Sequence, residues 1–270
     1  MAFDYIFKLV MKELLASCDA KAEKVGTLPL EIDTVARCKA GAQSQVPIPL
    51  LAKQFATDNL FEYKSEGNMT RKEDLSKLLG YVGLYGDQNG IGFNEMRGRI
   101  TAWYISAKRP GFLDKMLTTG IAVASADAGV YEVVTGFPCP CRVVVCDELD
   151  VNDGNVPLLV LGSIETVKKA IVHIAHAGSI LRNTMRTIIS LIYYMYHDKV
   201  KDMTEMDEII PPDMLQSMKH AIEDIGIEAV LKVLDINKVI DAVGVDKLKE
   251  AIARKEAGQK KPVKRVKRSS

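Results

Sequence analysis

Residues 3–15, FDYIFKLVMKELL, place Phe3, Ile6, Phe7, Val10, Met11 and Leu14 on one stripe at helical spacing, with Asp4, Lys8 and Lys12 off it. This is the pattern of an amphipathic first helix. The period then changes. In TLPLEIDTVARC (27–38), Leu28, Leu30 and Ile32 alternate with Glu31 and Asp33, which predicts a strand whose polar face carries Glu31 and Asp33 together. A loop with Gly41, Pro47 and Pro49 follows, then a helical or irregular piece to Asn59. A second strand is predicted over 60–65, with Phe61, Tyr63 and Ser65 on one face and Glu62 and Lys64 on the other.

TRKE (70–73) fits a capping box between Thr70 and Glu73. Leu75, Leu78, Leu79, Val82 and Tyr85 then mark a helix that Gly86 is expected to stop. GRITAWYISAKRP (98–110) reads as a strand closed by Pro110, FLDKML (112–117) as a short helix, and GVYEVVTGFPCPCRVVVCDEL (129–149) as a hairpin turning near Gly136 and Pro138. The expected fold is α/β: a mixed β-sheet flanked by helices over 1–162, followed by an all-helical extension over 163–254. In that extension IGIEAVLKV, LDINKVIDA and VGVDKLKEA (225–251) repeat at a period of nine. The last segment, 255–270, loses apolar periodicity and is expected to be a basic disordered tail.

Composition alters this picture in two respects. Residues 255–270 hold seven Lys or Arg against one Glu, so the net +1 of the chain divides into +6 there and −5 over residues 1–254. The body therefore does not advertise a nucleic-acid surface, whereas the tail offers one with strong salt dependence. The five cysteines are an odd, unevenly spread set and the N-terminus lacks a leader-like pattern, which suggests a reducing, cytoplasmic setting. TIISLIYYMY (187–196) has ten residues, short of the roughly 20 that span a bilayer, so no membrane association is expected.

The chemistry concentrates on two predicted strands. Asp33 on one and Glu62 on the other supply the two hard oxygen donors that Mg²⁺ ordinarily takes from protein. Lys64 follows Glu62 onto the same face and is placed to steady an attacking water or a charged phosphate. Taken alone, an acidic-x-Lys pair is ordinarily a solvated surface ion pair worth under about 1 kcal/mol. The chain holds a control in Asp19-Ala20-Lys21. Elsewhere, Cys139, Cys141 and Cys146 read as buried thiols, since no fourth ligand for a zinc site lies nearby. His173 and His176 read as polar-face residues of a helix, and Tyr81, Tyr85 and Trp103 as core.

LPLEID, LFEYKS and DLSKLLGYVGLYG, with the opening FDYIFK, resemble the PD-(D/E)XK nuclease superfamily in its Rpn and transposase-like branch, over roughly residues 1–160. The resemblance implies a restriction-endonuclease-like core that binds Mg²⁺, with Mn²⁺ as a substitute, and hydrolyses DNA phosphodiesters. It implies that Asp33 and Glu62 are metal ligands and Lys64 the catalytic lysine, with Glu13 of the first helix as a third metal ligand and Glu31 as a weaker candidate. Ile32 stands where the motif's name has proline. A reading from another class is a non-catalytic scaffold derived from this fold, binding nucleic acid or protein, with the C-terminal helices holding a partner or a second copy.

Overall fold

The computed structural model describes residues 2–25, 30–39, 41–42, 46, 48–67, 70–71, 73–134 and 136–177, with Met185, Ile188, Ile189, Ile192, Val200 and Met203 as isolated positions. All of these fall within one unit, Met1–Pro211. The repeats at 225–251 and the tail at 255–270 lie outside the described residues.

Seven strands form one mixed sheet in the order β1-β2-β3-β4-β7-β6-β5. They are β1 (Asp19–Val25), β2 (Leu30–Arg37), β3 (Asp58–Lys64), β4 (Ile100–Ser106), β5 (Ala122–Ala124), β6 (Val130–Val133) and β7 (Cys141–Val145). The first three form an antiparallel meander, β3, β4 and β7 run parallel, and β7, β6 and β5 close the sheet antiparallel. The helices are α1 (Ala2–Leu14), α2 (Pro49–Ala52), α3 (Glu73–Gln88), α4 (Phe93–Arg99), α5 (Leu113–Thr118), α6 (Val156–Leu159) and α7 (Ile164–His176). The α/β layering matches the expectation.

The amphipathic stripe of α1 explains its position. Ile6, Phe7, Val10, Met11 and Leu14 are buried, and Phe7 stacks on Tyr63 of β3 with ring centroids 4.7 Å apart. Helix α3 covers the opposite face, where Leu75, Leu78, Tyr81, Val82 and Tyr85 share a core with Leu60, Ala102, Tyr104 and Val143. The β3 strand is therefore central and buried on both faces, unlike the half-solvated strand that alternation predicts. A parallel strand in the middle of a sheet is ordinarily covered on both sides.

Helix α3 ends differently from expectation. At its start, Arg71 N–H donates to Asp74 Oδ2 at 2.9 Å. Gly86 lies inside the helix. The chain leaves it at Gly90, whose φ of +62° favours glycine, with Ile91 N–H bonding Gly86 O at 2.8 Å and Gly90 N–H bonding Asp87 O at 3.1 Å. These are the paired bonds of a Schellman ending. Helix α4 occupies 93–99, so the β4 strand starts two residues later than predicted.

Cys18 and Cys38 form a disulfide with Cα atoms 4.5 Å apart. They flank the Asp19↔Arg37 pair, so the antiparallel register brings them together. A count of five cysteines carries no such register. A reducing compartment does not follow once this pair is joined. No helix among the described residues is long and apolar enough to cross a membrane. Most of 187–196 lies outside the described residues.

Candidate functional site

The β3 strand projects Glu62 toward α3, where it is 2% exposed. Its Oε1 accepts hydrogen bonds from Lys64 Nζ at 2.9 Å and from Lys77 Nζ at 3.1 Å. Lys64 Nζ also lies 3.7 Å from Asp74 Oδ1. The parallel register sets Tyr104 beside Glu62, and Tyr104 donates its hydroxyl to Asp74 Oδ2 at 3.3 Å. Two residues of a strand, spaced by two, thus meet Asp74 and Lys77 of a helix, spaced by three, as the two periods require. Ionised groups taken out of water are costly unless paired and hydrogen-bonded, and this cluster pairs two carboxylates with two ammonium groups.

The control behaves otherwise. Asp19 and Lys21 do lie in a strand, but on the edge strand β1, where they form a 3.6 Å pair with side chains 64% and 55% exposed. Sequence spacing is the same in both cases, and burial separates them.

Asp33 is placed by an irregularity in β2. Pairing with β1 runs through Lys21↔Val35 and resumes at Glu23↔Ile32, so Asp33 and Thr34 together oppose Ala22. This is a β-bulge, which inserts one residue and reverses the inward and outward alternation beyond it. Ile32 and Val35, three apart, accordingly join the same core. On the other side of β2, the register with β3 runs from Arg37↔Asp58 to Thr34↔Phe61. Beyond that point Asp33 Oδ2 accepts the backbone N–H of Tyr63 at 2.8 Å. The Asp33 carboxylate is thereby fixed against the backbone of the residue that follows Glu62.

The bulge also corrects the position of Glu31. Strict alternation puts Glu31 and Asp33 on one face. In the structure Glu31 pairs with Lys8 of α1 at 3.2 Å as a half-exposed ion pair, on the face opposite the Glu62 cluster. Glu13 belongs to α1, but its side chain lies outside the described residues.

Glu62 Oε2 is buried and has no hydrogen-bond partner among the described residues. Glu23 Oε2 also lacks a hydrogen bond, yet it sits 2.7 Å from the Arg37 guanidinium and is electrostatically paired. Leaving a buried acceptor unsatisfied costs roughly 1–3 kcal/mol, so Glu62 Oε2 marks where a cationic or donor group fits. A hard divalent ion suits that oxygen donor and a second carboxylate such as Asp33. Among the described residues, no group of three or more His, Cys, Asp or Glu side chains is placed to hold a metal.

Burial acts to lower the pKa of Lys64, but Glu62 and Asp74 outweigh it and leave the ammonium raised above its ordinary value. Burial pushes Tyr104 upward, reinforced by Asp74, and pushes Tyr85 up to about 12. All three groups hold protons in the folded chain that the unfolded chain releases first, so stability is retained below about pH 10 and falls as pH rises past it. Urea midpoints measured at pH 8, 9.5, 10.5 and 11.5 should be level over the first two and drop over the last two. A constant midpoint through pH 11.5 would contradict this assignment.

Asp74, Lys77 and Tyr104 were not singled out from the sequence. The available signal was the spacing of Asp74, Lys77 and Tyr81 on one side of α3, which becomes informative only once that side is known to face Glu62. Lys77 Nζ also lies 5.0 Å from the centre of the Tyr81 ring. The remaining candidates behave as structural residues. Cys139, Cys141 and Cys146 are buried free thiols, with burial pushing Cys139 up to about 12. His173 pairs with Asp153 at 2.7 Å, and His176 Nδ1 lies 2.8 Å from Val172 O. Trp103, Tyr81 and Tyr85 are buried. Comparison with family models, with curated proteins and with solved structures finds no match to this chain.

Proposed function

We propose that this chain is a metal-dependent DNA endonuclease that hydrolyses phosphodiester bonds with a Mg²⁺-activated water. Asp33 and Glu62 would hold the ion, and Lys64 would act beside it. The observation that carries the reading is the buried Glu62 carboxylate, with one oxygen held by two ammonium groups and the other without a hydrogen-bond partner among the described residues. The motif resemblance supports DNA as the substrate and adds Glu13 as a third ligand.

The chain's own residues divide the work by position. Glu62 presents Oε2 from a rigid central strand. Asp33, pinned by Tyr63 N–H, offers a second carboxylate from the bulge. Bound there, Mg²⁺ supplies Lewis-acid polarisation of a phosphoryl oxygen and lowers the pKa of an attacking water. Lys64, an ammonium at neutral pH, would stabilise negative charge and orient groups beside the ion. Asp74 positions Lys64 and is itself oriented by Tyr104 and Arg71 N–H.

A second reading, a non-catalytic scaffold, is favoured by one feature: Lys64 and Lys77 already balance the charge of Glu62. Incubation of supercoiled plasmid with the chain in Mg²⁺ or Mn²⁺ separates the two. The nuclease reading expects nicking that chelation abolishes, and a loss of roughly 10²–10³-fold on Lys64→Met, the scale of removing one group that stabilises transition-state charge. An inert wild type across metals and salt concentrations would favour the scaffold, and a Lys64→Met variant as active as wild type would remove Lys64 from the chemistry.

A further inference from the structure

Resting on the metal-site reading above, we infer that Lys77 is a displaceable counter-cation: it occupies Glu62 when no divalent ion is bound and gives up the carboxylate when one arrives, while Lys64 stays. Both ammonium groups bond the same oxygen, Glu62 Oε1, but they are held differently. Lys64 sits between two carboxylates, Glu62 and Asp74, with its side chain 16% exposed. Lys77 is 43% exposed and leans over the Tyr81 ring one helical turn along α3.

Adding a doubly charged ion beside one carboxylate that already carries two ammonium contacts creates like-charge repulsion, which grows inside a water-poor site. The repulsion is relieved most cheaply by the group with a route to water and an alternative contact. Lys77 has both: its partly exposed pairing is of the class worth little in solution, and the Tyr81 face attracts an ammonium at i, i+4 spacing. Lys64 would have to abandon a second carboxylate in a drier setting. The two lysines therefore divide into a fixed one that remains beside the reacting phosphate and a mobile one that keeps the metal-free cluster balanced.

The test is Mn²⁺ binding, followed by electron paramagnetic resonance of free Mn²⁺ on the full chain, for wild type, Lys77→Met and Glu62→Gln. Methionine keeps the stem and helix preference of Lys77, and circular dichroism checks the fold of each variant. Lys77→Met should bind Mn²⁺ about two- to fivefold more tightly than wild type, the range expected for removing one weak competing ion pair, and Glu62→Gln should not bind. Amine acetylation read by peptide mass spectrometry gives a second measure in the wild type. Saturating Mn²⁺ should speed labelling of Lys77 and leave Lys64 slow. Equal affinity in wild type and Lys77→Met, or Lys77 labelling unchanged by Mn²⁺, overturns the inference and leaves the metal site standing. Absence of Mn²⁺ binding in both proteins removes the metal site and this inference with it.

Discussion

Glu62→Gln should abolish metal-dependent plasmid nicking, with a loss on the order of 10³-fold or more, because a divalent ion contributes several kcal/mol of transition-state stabilisation. Glutamine preserves the side-chain shape and one acceptor for the lysines while removing the charge. Alanine is the wrong probe. From the sequence, alanine variants at Glu62 and Lys64 would be expected to leave thermal stability nearly intact, as for a solvated pair. The burial of Glu62 overturns that expectation. Truncating it leaves the mostly buried Lys64 ammonium with Asp74 alone, and breaking a buried ion pair from one side costs about 3–5 kcal/mol. Nicking assays on Glu62→Gln, with melting curves for both variants, should therefore show lost activity in the glutamine variant and a much lower melting temperature in the alanine variant. Full nicking by Glu62→Gln would remove the carboxylate from the chemistry.

The other large effect on stability is expected outside this cluster, at Gly129. Its φ of +72° lies in the left-handed region, and a Cβ there would stand 2.8 Å from Val145 O, 2.9 Å from Glu148 C and 3.0 Å from Leu149 N. These are backbone atoms of the segment leaving β7, and they cannot swing aside as a side chain can. Gly129→Ala combines a backbone strain of about 1–3 kcal/mol with overpacking of about 1–3 kcal/mol. The melting temperature should fall by roughly 5–20 °C on the usual scale for a domain of this size. Gly80→Ala is the control, since a Cβ at this position of α3 meets nothing within 4 Å. It should raise stability by about 0.5–1 kcal/mol through helix propensity alone. Equal melting temperatures for Gly129→Ala and wild type would show that the β7 exit does not have this geometry.

Local periodicity made much of the architecture legible. The apolar stripe of the first helix, the stripe of α3 and the β6–β7 hairpin all follow from spacing within one segment, and all three appear in the structure. What spacing could not carry was register between segments. Alternation along 27–38 groups Glu31 with Asp33, but one extra residue opposite Ala22 sends Glu31 to Lys8 and frees Asp33 to meet Tyr63 N–H. The same limit applies to Cys18 and Cys38, which become neighbours only through the Asp19↔Arg37 pair.

Burial was the other missing quantity. Glu62-x-Lys64 and Asp19-x-Lys21 are alike as strings, yet one pair lies in the central strand and the other on an edge. The short strand β5 also carries no signal, because three residues are too brief to show a period. Lys77 and Asp74 were readable as helix residues and unreadable as site residues, since their role depends on which strand the helix crosses.

The central claim is that Asp33 and Glu62 grip a single divalent ion across the end of the β2–β3 pairing. Anomalous diffraction from crystals soaked in Mn²⁺ tests it most directly. The account predicts one peak in contact with Glu62 Oε2 and an Asp33 carboxylate oxygen, with Lys64 still on Glu62 Oε1. Crystals saturated with Mn²⁺ that show no peak touching either carboxylate would contradict it.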